Sequence, residues 1–302
     1  MTKIEVTFLG TTACIPTKYR NHPAIYIKYQ SENEHYFLFD CGEGTQRQIF
    51  SSGLNFMRIE AIFITHWHAD HYAGLLGLIE TMNLEGREKP LYIFGPEAEK
   101  FVEMLLELGY STRKFDIVAK NVNFDGNEKQ ILIDDIEFQI QSIPVSHGIP
   151  AVAYAFVEKD RIKIDKEKLK KMGLPLQGPI YKKIKEKGSA LFKGRKIKLS
   201  DISIVEKGKK VVYSGDTMPC SNIIELARDA DLLIHDSTYF EYFERKHATF
   251  EDVIKIAKET GAKKVVLTHI SRRYSDLTEL KKKIEKYDNF SIAKDFMKIV
   301  VE

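Results

Sequence analysis

The segment Thr65-His66-Trp67-His68-Ala69-Asp70-His71 decides how this chain is read. Three imidazoles and one carboxylate fall between residues 66 and 71, directly after the apolar run Ala61-Ile62-Phe63-Ile64. A short apolar run of this kind reads as a buried strand, and strand alternation sets His66 and His68 on one side of its end. The turn that follows can bring Asp70 and His71 to a neighbouring point. Imidazole nitrogens and carboxylate oxygens are the donors that suit zinc in sites with an open position. A lone histidine is usually a surface or core residue, whereas His-x-His-x-Asp-His is a metal-ligand string.

Three further segments share the same local grammar. Val211-Val212-Tyr213-Ser214-Gly215 runs into Asp216, Val265-Val266-Leu267-Thr268 into His269, and Ser142-Ile143-Pro144-Val145-Ser146 into His147. Each is a β-like run ending at a ligand-type residue, as expected where loops on a rigid sheet build a site. With the first segment they supply five His and two Asp, a set sufficient for two adjacent metals, and Asp216 has two oxygens to share between them. His22, His35, His235 and His247 receive no ligand role.

Around these segments, strand-like and helix-like stretches alternate. Ile4–Leu9, Ala24–Tyr29, Tyr36–Asp40, Ala61–Thr65, Leu91–Phe94, Ile131–Gln141, Ala151–Val157, Lys210–Ser214, Leu232–Ile234 and Lys264–Thr268 read as strands. Helices are expected over Ala73–Leu84, Glu97–Leu108, Ser221–Arg228 and Phe250–Thr260, the last started by Thr249 with Glu251 and Asp252 behind it. The chain of 302 residues is 43% hydrophobic, enough for a sizeable core, which excludes disordered and fibrous classes. Its longest apolar run, Ala151 to Val157, is far short of the ~18 residues of a membrane span, and the N-terminus shows no secretory pattern. Cys14, Cys41 and Cys220 form neither a metal pair nor a disulfide framework, so a reducing cytoplasm is the expected compartment.

The net charge of +3 hides a sharp asymmetry. Residues 159–198 hold 15 Lys or Arg against four acids, a local net of +11 that leaves −8 on the rest. Gly173, Pro175, Gly178, Pro179, Gly188 and Gly194 punctuate the segment and break any long helix. A single α/β domain over 1–302, interrupted by a basic arm suited to a polyanion, is the resulting expectation.

The ligand string, with Asp40 upstream and His147, Asp216 and His269 downstream, resembles the metallo-β-lactamase superfamily. Phe8-Leu9-Gly10-Thr11, the Pro16-Thr17-Lys18-Tyr19-Arg20-Asn21 loop, Phe39-Asp40-Cys41-Gly42-Glu43-Gly44-Thr45-Gln46, Ser214-Gly215-Asp216-Thr217, His247-Ala248-Thr249 and Leu267-Thr268-His269-Ile270-Ser271-Arg272-Arg273-Tyr274 narrow the similarity to the short form of the ribonuclease Z family. The basic arm matches that family's flexible exosite, including its Gly178-Pro179 motif, with Lys182 where a glycine is often found.

The resemblance implies an αβ/βα four-layer sandwich and an endoribonuclease that removes 3′ trailers from precursor tRNA. It implies two zinc ions, with manganese or iron chemically possible: His66, His68 and His147 on one, Asp70, His71 and His269 on the other, and Asp216 bridging. Asp70 would orient and deprotonate the attacking water, and His247 would protonate the departing 3′ oxygen. Asp40 would fix ligand orientation, or else simply cap a Gly-rich turn. Lys18, Arg20 and Arg273 would meet phosphates, and Gly178 and Pro179 would belong to the tRNA-gripping arm of a homodimer. Asp236 stands where many relatives carry Glu, and the shorter side chain is expected to weaken its support of His247. The rival on the same scaffold is a small-molecule phosphodiesterase or other hydrolase, which has no use for a basic arm.

Overall fold

The computed structural model describes residues 2–108, 113–241, 246–274 and 276–302. They form two compact units, one of residues 1–157 with 209–302, the other Glu158–Gly208.

The first unit is built on two seven-stranded sheets. One orders β18 (Lys298–Val301), β1 (Lys3–Gly10), β2 (Ala24–Gln30), β3 (Glu34–Phe39), β4 (Ala61–Phe63), β5 (Leu91–Gly95) and β6 (Ile117–Asn121). The other orders β17 (Phe290–Ile292), β16 (Val265–Thr268), β15 (Leu232–Asp236), β14 (Lys210–Tyr213), β9 (Val152–Glu158), β8 (Phe138–Pro144) and β7 (Gln130–Asp134). β3, β4, β5 and β6 run parallel, as do β14 to β17, so their C-terminal ends gather at common edges.

Strand alternation explains the layers. Val6, Phe8, Ile27, Phe37, Phe39 and Phe63 of one sheet meet Phe138, Tyr154, Phe156, Val211, Ile234 and Val266 of the other in a single buried cluster. Each such side chain contributes roughly 1.5–3 kcal/mol by leaving water. The opposite face of the first sheet packs Ile62, Ile64 and Ile93 under α1 (Thr45–Ser52), α3 (Leu75–Leu84) and α4 (Ala98–Leu106). The opposite face of the second packs Val212, Leu233 and Leu267 under α8 (Ser221–Ala227), α9 (Phe250–Thr260) and α10 (Thr278–Ile284). The result is the expected αβ/βα four-layer sandwich. Hydrogen bonds stitch the sheets at one rim, from Tyr154 Oη to the Ile64 carbonyl (2.7 Å) and from the Val152 N–H to the Thr65 carbonyl (3.0 Å).

Two expected elements divide. Ala73–Leu84 is a helix only from Leu75, because the chain first makes the four-residue α2 (Ala69–Tyr72) and turns at Gly74, whose N–H bonds the Cys41 carbonyl. Ile131–Gln141 is a hairpin, broken where the Asp135 carboxylate caps the Glu137 N–H. α9 starts as its sequence dictates, with Thr249 and Asp252 exchanging capping hydrogen bonds.

The second unit pairs β10 (Arg161–Ile164) with β13 (Ser203–Glu206) and β11 (Ser189–Phe192) with β12 (Arg195–Lys198). It adds α5 (Lys166–Lys171), α6 (Ile180–Lys187) and α7 (Leu199–Ile202). Leu169, Tyr181, Ile184, Ile197 and Ile202 form its own small core, leaving the lysines outside. The unit runs ten residues past Lys198, to Gly208, which closes against the Asp160 carboxylate through its N–H (3.0 Å). No helix among the described residues is long and apolar enough to cross a membrane.

Candidate metal centre

Four of the ligand candidates lie just past the C-terminal end of a strand. His66 follows β4 by three residues, His147 follows β8, Asp216 follows β14, and His269 follows β16 directly. His68 caps α2, whose first turn carries Asp70 and His71. Asp40 follows β3 and, like His269, has a left-handed backbone (φ 57° each), a strained conformation of the kind that collects at functional sites. Gly215 precedes Asp216 at φ 56°, and a Cβ there would lie 2.7 Å from that of Thr65, so the approach of the two sheets requires glycine.

These residues converge. His66, His68 and His147 form one donor group, Asp70, His71 and His269 a second, and His66, His71 and Asp216 a third that joins them. Asp216 Oδ2 lies 3.7 Å from His66 Nε2, 3.4 Å from His71 Nε2, 3.9 Å from His147 Nε2 and 3.3 Å from His269 Nε2. His68 Nδ1 sits 3.0 Å from His66 Nε2 and 3.1 Å from His147 Nε2. All but His68 are buried.

The surrounding hydrogen bonds fix which nitrogen faces inward. Thr65 Oγ1 donates to Asp40 and can accept from His66 Nδ1 (3.1 Å). Asp40 Oδ2 accepts from His71 Nδ1 (2.7 Å) and from the Tyr213 hydroxyl (2.8 Å), while its Oδ1 accepts the Thr65 N–H (2.8 Å). His147 Nδ1 meets the Lys246 carbonyl (2.9 Å), and His269 Nδ1 meets Thr238 Oγ1 (2.8 Å), which donates to Asp236 (2.6 Å). Four imidazoles are thereby turned with Nε2 toward the centre, the way outer hydrogen bonds prepare metal-binding histidines. Asp40 therefore does more than cap its turn.

The centre fits a divalent cation on its own chemistry. His71 Nε2 and Asp216 Oδ1 are buried without a hydrogen-bond partner, a costly state for polar atoms that a metal relieves. Burial, and next the charge of His71, push His66 below the ordinary imidazole range. His71 and His269 move the other way: burial opposes their charge, but Asp216 with Asp40 in one case and with Asp236 and Asp70 in the other outweighs it. Asp216 likewise stays ionised despite full burial, because His269 and His71 face it. Such a field of carboxylates and imidazoles at close quarters is built for positive charge.

His247 stands beside the ligands, its ring 4.9 Å from that of His147 and 5.3 Å from that of His269. Its Nδ1 is 2.9 Å from Asp236 Oδ2. Burial acts against its charged form, but the Asp236 charge and hydrogen bond prevail and raise it above the ordinary imidazole value. The expected weakening from the shorter Asp236 side chain is absent: this carboxylate holds His247 directly and His269 through Thr238, and also accepts the Thr217 N–H (3.2 Å). Sequence reading missed Thr65, Thr238 and the Lys246 carbonyl as orienting groups; the first two adjoin motif residues, the third is a backbone atom without a sequence signal.

The expected phosphate-binding residues separate. Lys18 is exposed, its Nζ 5.5 Å from the centroid of the Tyr19 ring. Arg273 is also exposed, four residues past His269. Arg20 is turned inward instead: its Nη1 donates to Thr11 Oγ1 (2.6 Å) and to the Ala293 carbonyl (2.8 Å). It braces its loop from within. Gly178 and Pro179 lie in the second unit, exposed at the start of α6.

A family profile described as Anti-Pycsar protein Apyc1 matches residues 4–165, and one described as Beta-lactamase superfamily domain matches residues 188–270. The chain is 40% identical to the ribonuclease Z of Archaeoglobus fulgidus, covering 98% of this chain and 97% of that one. It is 42% identical to the ribonuclease Z of Pyrococcus abyssi, covering 99% and 96%. Among solved structures it resembles human tRNase Z, short form, with a TM-score of 0.69, 29% identity and 98% of both chains covered. It shares the fold of the metallo-beta-lactamase fold protein YhfI from Bacillus subtilis at a TM-score of 0.69 and 19% identity.

Proposed function

This chain belongs to the ribonuclease Z family, and from that premise we propose how its residues carry out the reaction. It is a metal-dependent endoribonuclease that processes the 3′ end of tRNA precursors. His66, His68 and His147 would hold one ion, Asp70, His71 and His269 a second, with Asp216 available to both; zinc suits these donors, and manganese is an alternative. What the bound metal supplies is acidity at a coordinated water and positive charge at the phosphate oxygens.

The protein's own groups do the rest. Asp70 Oδ2 is held by the Cys14 N–H (2.9 Å) and lies 3.4 Å from His269 Nε2. From there it orients the attacking water and takes its proton. His247, protonated and braced by Asp236, gives its proton to the departing 3′ oxygen of the discriminator nucleotide. The products are tRNA with a 3′-hydroxyl and a trailer with a 5′-phosphate. Lys18 and Arg273 meet phosphates near the cut, while Arg20 keeps the loop in shape.

The basic unit Glu158–Gly208, with Gly178-Pro179 at the head of its lysine-rich helix, grips the tRNA body through backbone charge and shape. A homodimer, acting in the cytoplasm, completes the reading. The observation that carries the mechanism is His247: a half-buried imidazole whose hold on its proton is strengthened by Asp236, set just beside the ligand cluster.

The test is single-turnover cleavage of a tRNA precursor by Asp70→Ala and His247→Ala proteins. Each substitution should slow cleavage by ~10²-fold or more while leaving precursor binding in place. A 3′-thio leaving group, which needs no proton, should relieve the His247→Ala defect and not the other. Undiminished cleavage by His247→Ala, or a defect the sulfur leaves untouched, would remove His247 from the role of acid.

A further inference from the structure

The loop Pro16–Asn21 is fastened at nearly every point. The Tyr19 and Arg20 N–H groups meet Thr17 Oγ1 (3.2 and 3.0 Å), and the Thr17 N–H bonds the Arg20 carbonyl (2.9 Å). Asn21 accepts from the Thr11 and Thr12 N–H groups through its carbonyl, and its own N–H reaches Asp295 Oδ2 (2.7 Å). Out of this rigid frame Tyr19 projects with 77% of its surface exposed. A single exposed aromatic is unremarkable on its own. Held on a pinned loop, however, the ring gives up little conformational freedom when something packs on it.

Beside the ring opens a cleft of about 470 Å³ that begins at Ile270, the residue after ligand His269. Its walls carry Arg272, Lys281 and Lys294. Its cations, Arg20 included, outnumber its two acids four to two. Asp276 caps the Thr278 N–H (2.8 Å) and hydroxyl (2.6 Å), and Asp295 accepts from Thr11 (2.7 Å), Asn21 and Gln48 (3.0 Å). The cleft therefore offers a surplus of positive charge beside an exposed aromatic ring and reaches the residue that follows His269, the two elements, charge and ring, that recognise single-stranded nucleic acid.

We infer that Tyr19 is the stacking platform for a nucleotide of the unpaired 3′ trailer, whose phosphates run along Arg272, Lys281 and Lys294. The inference rests on the endoribonuclease reading above. Base-paired nucleotides of the acceptor stem have their faces covered by their neighbours, so only an unpaired base can stack on Tyr19. The discriminator is confined to the cut itself, which leaves the trailer as the strand that continues into the cleft.

The experiment uses the full-length protein and precursors whose scissile linkage is a non-hydrolysable methylphosphonate, with 2-aminopurine at the second trailer nucleotide. Binding should quench the probe with the wild type and with Tyr19→Phe, which keeps the ring, but not with Tyr19→Ala. On cleavable precursor Tyr19→Ala should raise KM about 5- to 30-fold, the lower part of the range for losing one base–aromatic stack. Arg272→Ala and Lys281→Ala should each flatten the dependence of log affinity on log salt by about 0.7. Quenching that survives Tyr19→Ala, or an equal loss of affinity for tRNA lacking a trailer, would overturn the assignment. Failure of the wild type to cut the unmodified precursor at all would instead overturn the endoribonuclease reading beneath it.

Discussion

Replacing Asp40 by Asn probes how the fold prepares the metal centre. The substitution keeps the volume and suits the backbone, since Asn shares with Asp a tolerance of the left-handed region that Asp40 occupies (φ 57°). Asn can keep one oxygen for the Thr65 N–H, now at 2.8 Å, but then turns an amide N–H₂ toward His71 Nδ1 and Tyr213 Oη. Tyr213 can rotate and accept. His71 can escape only by accepting at Nδ1, which leaves any proton on Nε2, 3.4 Å from Asp216 Oδ2.

The metal-free protein should thus lose about 1–3 kcal/mol, the cost of one poorly satisfied buried polar group. The larger effect falls on the metal, since Nε2 must shed its proton to bind: affinity should drop ~10- to 100-fold. In the wild type, the carboxylates that favour a proton on His71 favour a divalent ion more, because it carries twice the charge. Competition titration against a chromophoric chelator and urea unfolding of the stripped protein measure the two terms separately. Asp40→Ala should be the worse variant in unfolding, by ~1–2 kcal/mol for an alanine forced into the left-handed region. Wild-type metal affinity in Asp40→Asn would refute the argument that this carboxylate sets the His71 tautomer.

Asp236→Asn removes the charge that raises His247. As an acid His247 works protonated, so activity falls as pH rises through its pKa, and the variant's pH–rate profile should lose activity at a lower pH than the wild type's. Gly42→Ala puts a Cβ 2.1 Å from the Asp70 carbonyl oxygen and 2.5 Å from His22 Cβ. Overpacking of this kind costs about 1–3 kcal/mol, so thermal unfolding should show the loss and metal content should fall with it. Near the start of β3, Glu60 hydrogen-bonds His35 (3.1 Å) and raises it above its ordinary 6.5. A group raised on folding stabilises fully below its unfolded pKa and loses that contribution as pH rises through the folded one. The stability gap between wild type and Glu60→Gln should accordingly be open below pH 6.5 wherever the carboxylate is charged and close as pH rises, at no more than ~1 kcal/mol for a pair whose carboxylate side chain is 45% exposed.

The ligand set was legible because its members follow strand ends announced by apolar runs, Ala61–Ile64 before His66, Val211–Tyr213 before Asp216 and Val265–Thr268 before His269, while His68, Asp70 and His71 share the string that His66 opens. The orienting contacts were less so. Asp236 could be seen as a carboxylate near His247 in sequence, but its reach depends on the register that sets β15 beside β16 and places Thr238 under His269. Arg20 shows the limit of motif reading. Its place in a basic loop suggests a phosphate contact, yet Thr11 and the Ala293 carbonyl, the latter 273 residues away in sequence, claim its guanidinium. The hairpin within 131–141 was hidden because Ile136 continues the apolar pattern while standing almost fully exposed (89%) at the turn. The small core of the basic unit was hidden as well, its five buried residues spread thinly among lysines.

The most direct measurement is mapping the product ends of a 5′-labelled tRNA precursor incubated with the metal-loaded protein, alongside hydrolysis of a chromogenic phosphodiester. A single cut after the discriminator, leaving a 3′-hydroxyl, is the result the account predicts. An intact precursor beside brisk hydrolysis of the small phosphodiester would contradict it, leaving the metal centre in place and the tRNA substrate wrong.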